Sequence, residues 1–220
     1  WDIYITDNSF SLKHDTSYGI YSQGYGRLII KNNSLVSEND FYKFTCGIYS
    51  EVNTEIHSNS VKNFNIGIWL NYGEHLIENN VIMNNDHVGL YASLCSLKAY
   101  NNTISKNGNY FINYYPDFKP GGIVINGSSE YYCTIRDNTF SDNSGYGLYL
   151  EGLMGFKNDV THNSFFENTR DARFENSIIV WQQNYWGRVK ILPKIIFGFY
   201  DTGFIIKIPM FQFDFDPAMS

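Results

Sequence analysis

The sequence predicts an all-β chain that winds into a solenoid of short parallel strands. Two observations predict this fold: the composition favours strands and turns, and one short motif recurs along most of the chain. The 220 residues include 26 Asn, 18 Gly, 18 Tyr and 17 Phe, but only 5 Pro. Asn and Gly tolerate the left-handed backbone of tight turns, whereas Tyr and Phe favour strands. We therefore expect many short strands joined by tight turns.

The recurring motif is an Asn followed two residues later by a large apolar residue. Successive copies are 25, 26, 21, 22, 36, 25 and 21 residues apart. The motif residues are Asn8, Asn33, Asn59, Asn80, Asn102, Asn138, Asn163 and Asn184. This period suits one solenoid coil of about three strands and is too short for a helical pair of about 34 residues. About seven to eight coils are expected, with the Asn side chains stacked as a hydrogen-bonded ladder at a spacing of about 4.8 Å.

A Gly followed by an apolar residue marks another strand in each coil. Alternation along that strand places the apolar side chain inside the solenoid and the next residue outside. The outward residues form an aromatic row, which consists of Tyr21, Tyr49, Trp69, Tyr91, Val124 and Tyr149. Two positions further along lies a polar row, which consists of Gln23, Glu51, Asn71, Ser93, Asn126 and Glu151.

The two rows predict a glycan-binding face. Aromatic rings stack on the apolar faces of sugars, and amides and carboxylates bind sugar hydroxyls, so a repeating ladder suits a repeating polymer. The alternative is that the rings only stabilise the parallel sheet through cross-strand contacts. Both interpretations remain open at this point.

The longest interval between motifs contains an insertion, from Gly108 to Gly121, which is rich in aromatic residues. Long loops on a rigid scaffold often carry binding functions, which makes Tyr114, Tyr115 and Asp117 candidates for a second glycan contact. Alternatively, the aromatic side chains of this loop pack onto the outside of the column.

The repeats resemble those of a known group of proteins. The segments Ile56–Asn63, Leu76–Asn85, Leu97–Asn107 and Thr134–Asn143 look like right-handed parallel β-helix repeats of the NosD-like and pectate-lyase-like type. The segment Asn184-Tyr185-Trp186-Gly187-Arg188 is similar to the end of many archaeal and bacterial surface proteins of that group. There the last motif is usually Phe-Asp-Trp-x-Pro, whereas this chain has Phe213-Asp214-Phe215-Asp216-Pro217, with Phe215 in place of Trp.

The resemblance implies a right-handed, single-stranded parallel β-helix that is extracellular, displayed at a cell surface or periplasmic. It leaves the function open, because this fold hosts lyases, hydrolases, epimerases, adhesins and structural modules.

The repeats are predicted to span residues 1–188, followed by a non-repeating C-terminal cap at 189–220. A solenoid exposes unpaired strand edges at its last coil, and these edges require a cover. No comparable segment precedes Asn8, and Trp1 is expected to lie in mid-coil. We therefore expect an upstream domain or a partner to cover the N-terminal coil.

Composition also excludes some classes of protein. The net charge of −6 and the lack of a basic run argue against nucleic-acid binding. No apolar run approaches the roughly 18 to 20 residues of a membrane span. The spacings of Cys46, Cys95 and Cys133 fit no metal motif, so we expect small buried side chains.

No catalytic constellation is recognisable. Glu51 and Glu151 share the polar row but lie about four coils, or roughly 19 Å, apart, beyond the roughly 5–9.5 Å that glycosidases use. We predict a non-catalytic module that binds a polysaccharide or surface glycan, or that acts as a spacer. The alternatives are a polysaccharide lyase or glycoside hydrolase with a site near the 108–121 loop, and a periplasmic accessory protein for copper-enzyme maturation. No cofactor is predicted; calcium is left open without a clear site.

Overall fold

The computed structural model describes residues 1–13, 17–38, 44–109, 119–155, 157–187, 192–202 and 207–218. These residues form strands, turns and irregular segments without a helix. In chain order the strands are β1 (Asp2–Thr6), β2 (Ser9–Leu12), β3 (Ser17–Ser22), β4 (Arg27–Lys31), β5 (Ser34–Ser37), β6 (Thr45–Ser50), β7 (Asn53–His57), β8 (Ser60–Lys62), β9 (Ile66–Asn71), β10 (Glu74–Glu78), β11 (Val81–Met83), β12 (Val88–Ser93), β13 (Ser96–Tyr100), β14 (Thr103–Ser105), β15 (Gly121–Asn126), β16 (Cys133–Arg136), β17 (Thr139–Ser141), β18 (Tyr146–Glu151), β19 (Asp159–Thr161), β20 (Ser164–Phe166), β21 (Arg170–Glu175), β22 (Val180–Gln182), β23 (Lys194–Asp201) and β24 (Lys207–Asp214).

The strands recur in groups of three, and each pairs in parallel with its equivalent one coil further along. Three faces result. Face A contains β1, β4, β7, β10, β13, β16, β19 and β22; face B contains β2, β5, β8, β11, β14, β17 and β20; face C contains β3, β6, β9, β12, β15, β18 and β21. The predicted all-β parallel solenoid is confirmed, with about 7 coils.

The interior is a column of stacked apolar side chains. The residues that follow the motif glycines on face C are buried as predicted, at 5% exposure or less: Ile20, Ile48, Ile68, Leu90, Ile123 and Leu148. Face B adds aromatic residues near the C-terminal end, where the ring centroids of Phe140 and Phe165 are 4.8 Å apart and nearly parallel. Each large side chain buried in this way contributes about 1.5–3 kcal/mol of hydrophobic stabilisation.

The predicted Asn ladder runs along the corner between faces A and B. The Oδ1 atom of Asn59 accepts hydrogen bonds from both the backbone N–H (2.8 Å) and the Nδ2 (3.0 Å) of Asn33. The same pair of bonds links every successive member of the ladder from Asn8 to Asn184. The residue before each ladder Asn has a left-handed backbone, with φ between 51° and 59°. That conformation turns the chain sharply enough to bring every Asn to the same corner.

A second ladder lies at the corner between faces B and C. It joins Asn85, Asn107, Asn143 and Asn168 by bonds from each backbone N–H to the Oδ1 of the next Asn. These are the residues five positions after a ladder Asn in four of the repeats. The two ladders satisfy buried backbone groups at both corners and so hold the coils in register.

The last coil is covered by β23 and β24, which pair in antiparallel fashion. Asp214 takes the place of the next ladder residue. Its Oδ2 atom accepts bonds from the N–H and the Nδ2 of Asn184, both at 3.0 Å, and from the Nε1 of Trp186 at 3.1 Å. Asp214 belongs to the Phe-Asp-Phe-Asp-Pro segment, so that motif ends the ladder.

Asp214→Ala is expected to lower the free energy of unfolding by about 2–4 kcal/mol, because three buried donors lose their acceptor. Asp214→Asn keeps an acceptor oxygen and replaces the Oδ1 atom, which has no hydrogen-bond partner among the described residues, with an amide nitrogen. We expect this variant to stay within about 1 kcal/mol of the parent. Chemical denaturation followed by circular dichroism measures both. Equal losses in the two variants would show that the negative charge matters more than the acceptor.

The three cysteines are buried with free thiols, as predicted. Burial raises the pKa of Cys46 and Cys133 strongly and that of Cys95 to about 12. A thiol that stays protonated is a poor nucleophile and a poor metal ligand, so these side chains serve as small apolar groups.

Candidate ligand-binding face

The aromatic row lies on face C in the predicted register. Tyr21 pairs with Tyr49, Tyr49 with Trp69, and Trp69 with Tyr91 on successive strands. Val124 and Tyr149 continue the row. The rings contact one another, with centroids 5.0 Å apart for Tyr21 and Tyr49 and 5.4 Å apart for Tyr49 and Trp69.

Most of the row is buried, which favours the alternative that these rings stabilise the sheet. Tyr21 is 54% exposed, whereas Tyr49, Tyr91 and Tyr149 are only 9%, 7% and 1% exposed. The physical reason is a second apolar cluster outside the solenoid core. This cluster contains the three buried tyrosines together with Cys46, Ile66, Val88, Val124 and Tyr146, and Phe44 and Trp69 pack against it. The buried rings support the sheet, whereas Tyr21 is exposed and Trp69 is partly exposed.

The polar row is more open and is held in place by the aromatic row. The Tyr21 hydroxyl donates to the Gln23 side chain at 3.0 Å, and the Tyr49 hydroxyl donates to Glu51. Burial and the Glu51 carboxylate raise the pKa of Tyr49, which keeps the donating proton in place.

The next coil repeats this arrangement. The Trp69 Nε1 donates to the Asn71 Oδ1 at 3.0 Å, and the Asn71 Nδ2 donates to the Tyr49 hydroxyl at 3.0 Å. Glu51, Asn71 and Glu151 are partly exposed, and Asn126 is exposed. Face C therefore presents polar groups in fixed positions above a buried aromatic support.

The polar row continues into a seventh coil through Glu175, which pairs in register with Glu151. Burial and the neighbouring Glu175 raise the pKa of Glu151. Burial alone would also raise the pKa of Glu175, but Lys207 at 2.8 Å, with smaller contributions from Tyr149 and Arg173, holds it below its usual value. Glu175 is absent from the sequence-predicted row because Asp171-Ala172 replaces the Gly-apolar pair in that coil. Its spacing of 24 residues from Glu151, close to the repeat period, is the signal that points to it.

Two stacked carboxylates with opposite pKa shifts have a recognisable chemistry. Backbones of adjacent strands are about 4.8 Å apart, close to the roughly 5–5.5 Å between the carboxyl groups of retaining glycosidases. A carboxyl group with a raised pKa is suited to act as an acid beside one with a lowered pKa. The ion pair between Lys207 and Glu175 also anchors β24 to β21. Arg173, on the same strand as Glu175, donates to the Glu175 carboxylate at 3.1 Å.

A shallow groove on face A was not predicted from the sequence. Its volume is about 240 Å³, and its lining includes Arg27, Glu55, Glu74, Lys98 and Tyr132. Glu55 forms an ion pair with Arg27, and its Oε2 atom lies 3.3 Å from the Nε2 atom of His57. No motif marks these residues, because they occupy outward strand positions in several different coils. The groove is polar and open, so it holds a small polar ligand less firmly than an enclosed pocket.

The remaining candidates contribute less. Tyr114, Tyr115 and Asp117 lie outside the described residues. Arg136 pairs with Asp137 at 3.2 Å, and both side chains are 53% exposed. Over the described ranges, no three His, Cys, Asp or Glu side chains form a group that could hold a metal ion. That same portion of the chain contains no helix with the length and apolar character needed to cross a membrane.

Comparison with known proteins agrees with this geometry. The family described as right-handed beta helix region matches residues 2–119 and 28–186. No match is found among curated proteins or among solved structures. The matched segments cover the coils that carry the Asn ladders and face C. Because the family match covers most of the chain and the chain forms a three-sided parallel solenoid, the protein belongs to the right-handed β-helix family.

Proposed function

We propose that this protein is a non-catalytic β-helix module that binds an extended glycan along the polar row of face C. One observation carries the proposal: the hydrogen-bonded set of Tyr49, Glu51, Trp69 and Asn71 fixes two polar side chains one coil apart. Side chains that are already ordered lose little entropy when a ligand binds. A polymer lying along the solenoid axis meets an equivalent polar group in each coil, at a repeat of about 4.8 Å.

The exposed rings at this face complete the proposed site. Tyr21, at 54% exposure, and the partly exposed Trp69 flank Glu51 in neighbouring coils. Each offers an apolar surface to a sugar ring, while Glu51 and Asn71 accept or donate bonds to hydroxyls. A location outside the cell, at a cell surface or in the periplasm, is part of the proposal.

The proposal is tested by binding of the purified chain to a broad polysaccharide array. We expect the parent to bind at least one glycan. The double variant Glu51→Ala, Asn71→Ala should bind it at least about tenfold more weakly, because two fixed polar partners are lost. The matched control is Glu78→Ala with Asn53→Ala, which makes the same two changes on face A. Melting curves verify that all three proteins are folded.

A lack of binding by the parent to every glycan would contradict the proposal and leave a structural spacer. Equal loss of binding in the face A control would move the site away from face C.

The Glu151–Glu175 pair favours a second candidate function, glycoside hydrolysis. Glu151, whose pKa is raised, is the candidate acid, and Glu175, whose pKa is lowered, is the candidate nucleophile. Incubating the same glycans with the parent and assaying for new reducing ends tests this candidate. Hydrolysis that disappears in Glu151→Gln would support it. Glycans that stay intact would contradict hydrolysis, and binding would remain as the proposed function.

A further inference from the structure

The hairpin of β23 and β24 presents an apolar surface that points away from the core. Ile195 lies directly opposite Phe213, and Phe197 opposite Phe211, so the four side chains share one side of the hairpin. Ile196 lies on the other side and is buried in the core at 2% exposure. The four outward side chains are 44%, 39%, 62% and 51% exposed in the order given. Phe215, which stacks on Phe213, is 74% exposed. We call these five residues the hairpin patch.

The chemistry of the hairpin patch does not suit a glycan. Its side chains carry no hydrogen-bond donor or acceptor for sugar hydroxyls. Gln212, between Phe211 and Phe213 in the sequence, lies on the opposite side, where it accepts from Trp181 Nε1 and donates to the Ser177 carbonyl oxygen, both at 2.7 Å. Contiguous exposed apolar side chains of this kind mark contacts with apolar surfaces.

We infer that the hairpin patch packs against the same patch of a second copy of this chain. We take about 200 Å² as the accessible area of each fully exposed side chain. Multiplied by the exposed fractions of the five residues, this gives on the order of 500 Å² for the patch, or about 1,000 Å² for two copies. That total reaches the lower limit for a specific interface, so we expect a weak dimer.

Charge favours this partner. The net charge of the chain is −6, which opposes association of two copies through most surfaces. The segment from Ile208 to Phe213 contains no charged residue. The flanking lysines are already paired within the protomer, Lys194 with Asp171 at 2.9 Å and Lys207 with Glu175 at 2.8 Å. Two patches related by a twofold axis therefore bring together neutral apolar surface.

The contact involves the side of the hairpin and not its edge. Pro209 lies in the middle of β24 and has no backbone N–H to donate to an added strand. Proline in an edge strand is a common protection against pairing with another strand. Face-to-face packing of the aromatic side chains needs no backbone donor.

Sedimentation velocity of the full chain over a range of micromolar concentrations tests the inference. We expect a concentration-dependent dimer. The variant Phe197→Lys with Phe211→Lys should weaken the dimer at least about 100-fold, because both side chains lie at the centre of the patch. The control is Tyr4→Lys with Tyr25→Lys, which places the same charges at side chains that are 63% and 92% exposed elsewhere. The control should dimerise like the parent.

A parent that remains monomeric at every concentration overturns the inference. A dimer that persists in the Phe197, Phe211 variant also overturns it. Flotation with phosphatidylcholine vesicles tests whether the patch binds a lipid surface instead of a second copy. A monomer that binds vesicles through these two residues would assign the patch to a lipid surface. Circular dichroism melting verifies that both double variants keep the fold.

Discussion

Asn102→Ala is expected to lower the free energy of unfolding by about 3–5 kcal/mol, because the substitution orphans several buried groups at once. The Asn102 Oδ1 accepts from the N–H and the Nδ2 of Asn80, at 2.9 and 3.0 Å. Its Nδ2 donates to the Ile77 carbonyl oxygen and to the Asn138 Oδ1, both at 2.9 Å. Asn102 is only 2% exposed, so water cannot replace these partners.

The matched control for this experiment is Asn101→Ala, the same change one residue earlier. Asn101 is exposed, and its φ of 51° is left-handed, which costs an Ala roughly 1 kcal/mol. Urea denaturation followed by circular dichroism gives both free energies. Similar losses in the two variants would mean that the ladder contributes no more than the turn beside it.

Gly89→Ala is expected to destabilise the protein by about 3 kcal/mol or more through a steric clash. A Cβ at this position would lie 2.7 Å from the Gly122 carbonyl oxygen and 2.9 Å from the Asn107 Nδ2. Neither group can move freely, because Gly122 belongs to the next strand of face C and Asn107 to the second ladder. The coils would have to separate locally, and hydrogen bonds on both sides would lengthen.

Gly155→Ala is the control, because the nearest atom to its added Cβ is a carbonyl oxygen at 3.3 Å and the position lies outside the strands. We expect a loss of about 1 kcal/mol or less. Thermal and chemical denaturation of the two variants provide the comparison. A fully stable Gly89→Ala protein would show that the spacing between coils adjusts without cost.

The rows of the candidate site were predictable from the sequence, but the exposure of their side chains was not. Alternation along each strand places Tyr49 and Glu51 on the same side of face C. Whether Tyr49 is open or covered depends on Cys46, Phe44 and Trp69, which come from its own and neighbouring coils. Glu175 lies in register with Glu151 although its coil lacks the glycine that marks the other coils. The repeat period predicts which way a side chain points. Its burial depends on which residues of other segments pack against it.

The sequence by itself determined the coil period, the Asn ladder and the inward apolar column. These features repeat because each depends on a local turn, a left-handed residue followed by Asn, and on alternation within one strand. Only the tertiary structure decided how the solenoid ends and which surfaces remain open. Asp214 completes a ladder 30 residues after Asn184, and Lys207 pairs with Glu175, which lies 32 residues earlier in the chain. Contacts between segments without a shared repeat follow from packing, and no local spacing in the sequence specifies them.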